Sequence, residues 1–285
     1  GFPVDLGTDL HSPSIALGPD GPLIILFDEE ARLWAVSSDG SIAWQTATSL
    51  DPLDFGLEIA AACGDLDGDG NDEIVCTRRM GLMAFDHHGG GLWNINTDDI
   101  IGCPVLADAD ADADLDIIVA TKAFWGSGAG IRAYDENGGT IWTYDMSGSA
   151  PAASQLAAGD VDFDGRTDIV FADESGMLSA ISTATVPPTR LWPPVAVGAT
   201  AGSPLVLGDV DGDGALEVVV GGSTINCVNA DTGSEEWSFA LDSPVVSLAL
   251  ADIDEDARPD IFVGTESGML HMTHGESVQW SVMLT

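Results

Sequence analysis

The chain has 285 residues, of which 47 are acidic and 8 are Lys or Arg, so its formal net charge is −39. This charge balance argues against binding to nucleic acids or anionic membranes, which requires an extended basic surface. No apolar run reaches the length of a transmembrane helix. Short β-branched runs, separated by turn residues every 8 to 12 positions, predict an all-β protein.

The chain begins with a segment, residues 1–8, that resembles residues 191–195. The first predicted unit of four strands covers 12–47, so residues 1–8 are one strand more than the units require. This extra N-terminal strand either covers an outer edge or belongs to an incomplete further unit. The turn of the first unit carries a single carboxylate, Asp20, and we expect no metal ion there. Because the chain starts with Gly rather than Met, we expect a piece of a larger surface protein.

Each of the next five predicted units contains an acidic loop between its first and second strands. These units cover residues 57–97, 102–146, 150–196, 203–241 and 243–285. Each loop places a carboxylate at its positions 1, 3, 5 and 9. The predicted carboxylate ligands are Asp65, Asp67, Asp69, Glu73, Asp108, Asp110, Asp112, Asp116, Asp160, Asp162, Asp164, Asp168, Asp209, Asp211, Asp213, Glu217, Asp252, Asp254, Asp256 and Asp260.

The spacing of these carboxylates predicts metal binding. Four clustered carboxylates repel one another unless a divalent cation lies among them, and ligation by oxygen alone favours Ca²⁺ over Zn²⁺ or Cu²⁺. A solvated acidic turn explains one such loop, but it is a poor explanation for five loops with the same spacing. The flanking helices and the Glu at position 12 of an EF-hand are missing. We therefore predict up to five Ca²⁺ ions with a structural role.

A second marker repeats in phase with the loops. Tryptophans recur at intervals of 43 to 50 residues and are predicted to pack between units. They are Trp44, Trp93, Trp142, Trp192, Trp237 and Trp280. Four strands in about 40 to 50 residues are typical of a β-propeller blade. We predict a single propeller of six four-stranded blades, the alternative being seven blades with one incomplete.

The loops also resemble a known family. Residues 159–170 and 208–220 are similar to the FG-GAP repeats of integrin α-subunit propellers and to VCBS-type repeats, in which D-x-D-x-D-G-x-x-D precedes a β-branched strand. The resemblance implies that position 7 of each loop adds a backbone carbonyl ligand. Those residues would be Asn71, Asp114, Arg166, Ala215 and Arg258. Position 6 is Gly in three loops but Ala113 and Ala257 in two. If φ is positive there, Ala costs roughly 1 kcal/mol and weakens both sites.

A candidate ligand patch lies outside the repeat pattern. Arg78 and Arg79 occupy the turn between strands two and three of the second unit, and the equivalent turn of the third unit is enlarged around Lys122, Phe124 and Trp125. Propeller geometry places these turns on the face opposite the calcium loops. We expect a binding patch for a protein or carbohydrate ligand, although hairpin residues paired with surplus acids are an equally ordinary explanation.

Catalytic motifs are scarce in this sequence. The five histidines are scattered, and no Ser/His/Asp order, zinc-protease motif or phosphate-binding loop is present. The resemblance therefore favours a secreted or cell-surface binding or adhesion module. A polysaccharide lyase or hydrolase on a propeller scaffold is the alternative, and an architectural spacer is a third reading. Cys63 and Cys76 flank one loop and could pair, or all four cysteines could be free thiols.

Overall fold

Strands build the described part of the chain, which contains no helix. The structure is a computed structural model that describes residues 10–28, 30, 32–48, 61–78, 80–122, 129–146, 156–200 and 202–284. Over these residues, no helix is long and apolar enough to cross a membrane. The chain divides into two compact units, Gly1–Asp145 and Met146–Thr285. The extra strand predicted at residues 1–8 lies outside the described residues.

The first unit contains three antiparallel sheets, each built from four strands in chain order. Sheet one consists of β1 (Leu10–Ala16), β2 (Leu23–Asp28), β3 (Arg32–Ser37) and β4 (Ile42–Ala47). Sheet two consists of β5 (Ala61–Gly64), β6 (Glu73–Arg78), β7 (Gly81–Phe85) and β8 (Gly91–Asn96). Sheet three consists of β9 (Asp99–Ala107), β10 (Asp116–Lys122), β11 (Gly130–Tyr134) and β12 (Thr140–Asp145).

The second unit repeats this arrangement three times. Sheet four consists of β13 (Ala157–Gly159), β14 (Asp168–Ala172), β15 (Met177–Ser182), β16 (Thr189–Arg190) and β17 (Val195–Ala196). Sheet five consists of β18 (Leu205–Gly208), β19 (Glu217–Gly221), β20 (Ile225–Asn229) and β21 (Glu235–Phe239). Sheet six consists of β22 (Val245–Ala251), β23 (Asp260–Thr265), β24 (Met269–His274) and β25 (Ser277–Met283).

The outer strand of sheet four is split in two. Both β16 and β17 pair with β15, so together they occupy the place of a single fourth strand. Pro193 and Pro194 lie between them. Proline has no backbone N–H to donate to a ladder, which explains why pairing is interrupted at this point. The predicted all-β fold with six four-stranded sheets is therefore confirmed, with this one interruption.

Apolar residues on both faces of the inner strands form the core. All five residues of β14 and of β19 are buried, as expected where a sheet is covered on both sides. In the first unit, Phe27 of sheet one packs with Phe85 of sheet two. In the second unit, Leu178 packs with Val218 across sheets four and five. The outer strands instead alternate between more exposed and less exposed positions, as β8 does.

Three of the marker tryptophans donate a hydrogen bond from their own sheet to the next sheet in the chain. The indole Nε1–H of Trp44 donates to the backbone oxygen of His87 at 2.8 Å. The equivalent bonds run from Trp93 to Glu136 at 2.7 Å and from Trp192 to Ala230 at 2.8 Å. Each acceptor lies in the turn between the third and fourth strands of the next sheet. The predicted inter-sheet role is confirmed for these three residues.

Glycine is required where such an indole packs against the turn. Gly233 has φ of +70°, and a Cβ on it would lie 2.6 Å from the Trp192 ring. Gly89 has φ of +80°, and its Cβ would lie 2.7 Å from the Trp44 ring. Trp142 departs from the pattern, because its Nε1–H donates at 2.9 Å to Ala109 within its own sheet.

We predict that Trp192→Phe lowers the free energy of unfolding by about 1–3 kcal/mol, because the buried oxygen of Ala230 loses its donor. Trp192 is 5% exposed, whereas Trp280 on β25 is 39% exposed. Trp280→Phe is the matched control and should change stability by less than about 0.5 kcal/mol. Urea denaturation in saturating Ca²⁺ measures both variants. Equal losses from the two substitutions would contradict the inter-sheet role.

Candidate metal-binding loops

Each acidic loop joins the first and second strands of its sheet. Loops one to five are residues 65–73, 108–116, 160–168, 209–217 and 252–260. In each loop, the carboxylate at position 9 is the first residue of the second strand. This residue is 0–3% exposed in all five loops. The strand therefore carries one buried carboxylate to the base of each loop, and the remaining acids lie in the exposed turn above it.

The backbone of all five loops turns in the same way. Positions 4 and 6 have positive φ in every loop. These residues are Gly68, Gly70, Ala111, Ala113, Phe163, Gly165, Gly212, Gly214, Glu255 and Ala257. The condition on which a cost of Ala at position 6 depends is therefore met, with φ of 78° at Ala113 and 72° at Ala257. Residues other than glycine are disfavoured in this region, so loops two and five, and loop three at Phe163, fold against a local backbone preference.

Equivalent hydrogen bonds, like the backbone angles, recur in all five loops. The N–H of position 2 donates to the position 9 carboxylate at 2.7–3.1 Å in all five loops. The N–H of position 6 donates to the position 1 carboxylate at 3.0–3.1 Å. The N–H of position 7 donates to the position 5 carboxylate at 2.7–3.0 Å. The backbone thus holds at least one oxygen of each of these three carboxylates, and in loops two, four and five it holds both oxygens of the position 1 carboxylate.

In loops one to four, the carboxylates of positions 1, 3 and 9 converge. Their oxygens lie within 4.8 Å of one another in each loop. Several of these oxygens are buried and have no hydrogen-bond partner among the described residues, namely Asp65 Oδ1, Asp160 Oδ1, Asp168 Oδ1 and Glu217 Oε1. A buried anionic oxygen without a partner is costly. The residues present therefore fit a hard divalent cation, which would be bound by these oxygens.

Burial raises the pKa of the position 9 carboxyls in loops one to four. The pKa of Asp116 is raised to about 7, mainly by desolvation, with a contribution from the nearby carboxylates of loop two and against the effect of the hydrogen bond from Ala109. The pKa of Glu217 is raised to about 7 for the same main reason, and that of Asp168 to about 6. Without a cation, these groups retain protons that an ordinary carboxyl would release.

Loop five differs from the other four. Its convergent group consists of Asp254, Asp260 and the imidazole of His274, which ends β24. His274 Nε2 is in direct contact with Asp260 Oδ1. The position 2 side chain also differs, since Ile253 is 55% exposed whereas its counterpart Val161 is fully buried. We infer that loop five is the most weakly supported of the predicted calcium sites.

The predicted ligand patch is only partly described. Arg78 ends β6 and Lys122 ends β10, at the end of each strand away from its acidic loop. Lys122 lies opposite Asp99 in the register of sheet three. Arg79, Phe124, Trp125 and the side chain of Arg78 lie outside the described residues. The patch remains a prediction.

Cys63 and Cys76 are free thiols. Cys63 faces Ile74, and Cys76 faces Ala61, so the two cysteines are not cross-strand partners. Burial raises the pKa of Cys63 to about 12 and that of Cys76 well above its ordinary value. Because the thiolate is the nucleophilic form, these residues act as small apolar core residues.

The sequence did not indicate one polar cluster, which is formed by sheet six and the link that precedes β22. His271 on β24 is 6% exposed and lies directly opposite Ser281 on β25. Its Nδ1 is 2.7 Å from Ser281 Oγ, and its Nε2 is 2.8 Å from Asp242 Oδ1. Ser267 Oγ donates to Asp242 Oδ2 at 2.5 Å. The register of β24 and β25 pairs His271 with Ser281, and Asp242 comes from the link between β21 and β22, so no spacing in the sequence could have revealed them.

Comparison with known proteins identifies the fold. No protein-family model and no curated protein matches the chain. A crystal structure of BBS1N in complex with ARL6DN, soaked with lead, matches with a TM-score of 0.71 at 15% identity, over 97% of this chain and 83% of that chain. BamB from Moraxella catarrhalis matches with a TM-score of 0.59 at 16% identity, over 98% and 75% of the two chains. The computationally designed Ika8 protein matches with a TM-score of 0.66 at 13% identity, over 95% and 73%. The fold is that of a β-propeller, with the six sheets as blades.

We predict that Ala113→Gly and Ala257→Gly each stabilise the protein by up to about 1 kcal/mol, because Gly adopts positive φ without a steric penalty. The reverse substitution, Gly214→Ala, is the matched control and should destabilise by a similar amount. A Cβ at Gly214 would meet no atom within 4 Å, so this change isolates the backbone conformation from packing. Chemical denaturation at fixed Ca²⁺ concentration measures all three. Stabilisation by Gly214→Ala would refute the backbone argument.

Proposed function

We propose that the chain is a calcium-stabilised binding module of the FG-GAP or VCBS type. The observation that carries this proposal is the shared geometry of the loops, in which buried carboxylate oxygens converge and several of them lack partners. In loops one to four, the carboxylates at positions 1, 3 and 9 would hold the ion. In loop five, Asp254 and Asp260 would do so beside His274. The carboxylates at position 5 and the carbonyls of Asn71, Asp114, Arg166, Ala215 and Arg258 remain candidate ligands.

A bound cation would reduce the repulsion among the many acidic residues of this chain. Positions 1, 3, 5 and 9 of the five loops supply twenty of its 47 acidic residues. Calcium bound at position 9 would replace the proton that burial otherwise retains, and it would reduce repulsion among the exposed acids above it. Oxygen-only sites of modest affinity, with Kd of about 10⁻⁴–10⁻³ M, are filled in extracellular fluids. The proposal therefore places the protein outside the cell or at its surface.

We predict that Ca²⁺ raises the stability of the protein strongly. Each site filled at a hundredfold excess over its Kd adds about 2.7 kcal/mol, so exhaustive chelation should lower the melting temperature markedly. Asp209→Asn in loop four should remove one binding event in calorimetric titration. Asp231→Asn, which makes the same charge change in an exposed turn of the same sheet, is the matched control.

Two results would refute calcium stabilisation. One is an unchanged melting temperature after chelation. The other is equal loss of Ca²⁺ binding in the Asp209 and Asp231 variants. Mg²⁺ at the same concentration tests whether the effect needs a larger, more flexibly coordinated ion or only ionic strength.

The binding partner is proposed to be a protein or a carbohydrate. It would contact the ends of the sheets opposite the acidic loops, where β6 ends at Arg78 and β10 ends at Lys122. The matching BBS1N structure is a complex with another protein, ARL6DN. That precedent favours a protein partner for this chain, while the basic and aromatic residue types of the patch suit an anionic carbohydrate as well.

We predict that combined replacement of Arg78, Arg79 and Trp125 by Ala weakens binding to heparin or alginate at least tenfold. The probes are anionic, so the loss of two positive charges must be separated from a general charge effect. Replacement of Arg166 and Arg190 by Ala removes the same charge elsewhere and should leave binding unchanged. Binding would be measured by surface plasmon resonance in Ca²⁺ buffer. Equal binding by wild type and the triple variant would eliminate the patch.

A further inference from the structure

Hydrogen bonds connect a serine and a histidine of sheet six to an aspartate in the link that precedes β22. The Ser281 Oγ to His271 Nδ1 distance is 2.7 Å, and the His271 Nε2 to Asp242 Oδ1 distance is 2.8 Å. Ser281 Oγ is close enough to His271 for the imidazole to take the hydroxyl proton. Asp242 is close enough to accept a hydrogen bond from the other ring nitrogen. A nucleophile, a base and a group that orients the base form the arrangement typical of activated serines.

The hydrogen bonds determine which nitrogen of His271 carries the proton. Hydrogen bonds from Ser267 and His271 keep the pKa of Asp242 below its ordinary value. Its ionised carboxylate can only accept, so in neutral His271 the proton must be on Nε2, facing Asp242. Nδ1 then has a free lone pair and must accept the hydrogen bond from Ser281. This is the tautomer that general-base catalysis requires.

The base and its orienting group are fixed, whereas the serine is accessible. His271 is 6% exposed. Asp242 is held by Ser267, whose backbone N–H is bound at 3.0 Å by the hydroxyl of Ser243. Ser281 is exposed on β25, the last strand of its sheet. A substrate could therefore reach the hydroxyl without displacing the residues that activate it.

The sheet edge also supplies a hydrogen-bond donor beside Ser281. The N–H of Leu284 donates to the oxygen of Gly268 at 2.9 Å, and bonded and non-bonded pairs alternate along an antiparallel ladder. His271 and Ser281 therefore form a non-bonded pair, in which the N–H of Ser281 points away from β24. This N–H is placed to stabilise negative charge on an oxygen attached to the attacked carbon. Met283, 54% exposed and on the same face of β25, offers an apolar contact.

We propose that Ser281 is the nucleophile of an acyl-transfer site for small esters with apolar acyl groups. The Ser281 oxygen attacks the ester carbonyl carbon, and His271 Nδ1 takes the hydroxyl proton. The bond to the alcohol then breaks, and His271 returns the proton to the departing oxygen. Water, activated by His271, releases the acid and restores Ser281. Asp242 is a positioning residue that holds the imidazole tautomer. This function is independent of the calcium and partner-binding proposal.

Covalent labelling tests the proposal directly. The full chain in Ca²⁺ buffer is treated with a fluorophosphonate probe and examined by intact mass and peptide mapping. We expect one adduct per chain, on Ser281, and none on the Ser281→Ala variant. His271→Gln should slow labelling at least 100-fold, because glutamine cannot accept the proton. Ser277→Ala, on the same exposed strand, is the matched control and should label as wild type does.

Hydrolysis of p-nitrophenyl acetate gives a second measurement. Wild type should release a burst of about one equivalent of nitrophenol per chain, and Ser281→Ala should release none. His271 is buried, so the melting temperature of each variant is measured, and the exposed Ser281→Ala decides the outcome if His271→Gln unfolds. Labelling of wild type no faster than that of Ser281→Ala would overturn the proposal, as would an adduct at any other residue.

Discussion

The structure depends on how a buried carboxylate is accommodated at the start of the second strand of five blades. Position 9 must be anionic to bind a cation, yet it lies at 0–3% exposure where an uncompensated charge is costly. A backbone N–H from position 2 satisfies one of its oxygens in every loop, at 2.7–3.1 Å. That single bond is not enough, since the pKa values of Asp116 and Glu217 still rise to about 7. The carboxylate therefore needs a further positive partner at its other oxygen, either a proton or a metal ion.

The same constraint explains why the turns share one backbone shape. To direct the acids of positions 1 and 3 toward position 9, the chain must reverse within a few residues, which requires positive φ at positions 4 and 6. Glycine meets this requirement at little cost, and three loops use it at position 6. Loops two and five use Ala113 and Ala257 instead, so in these loops the geometry is imposed by the surrounding hydrogen bonds rather than by local preference. The loop geometry thus outweighs at least one unfavourable residue in loops two, three and five.

The repeated features could be predicted from the sequence because they depend on local spacing. The loop positions, the positive φ at position 6 and the four strands of each sheet all follow from residues close together in the chain. The exceptions depend on contacts that spacing does not encode. Trp142 bonds within its own sheet, and Pro193 with Pro194 splits an outer strand. The register of β24 and β25 pairs His271 with Ser281, and the link that precedes β22 brings Asp242 to His271, across separations that no motif describes.

Within each blade, the two ends of the sheet carry different chemistry for a topological reason. In a four-stranded meander, the connection between strands one and two and that between strands three and four share one end, while the turn between strands two and three and the link to the next blade share the other. Acidic loops occupy the first end in five blades, and their required carboxylates and turns restrict which residues can stand there. The second end carries no such repeated constraint. Arg78, Lys122 and the cluster around His271 all lie toward that end of their sheets. A cation-dependent scaffold at one end therefore leaves the other end free to acquire binding or catalytic groups one blade at a time.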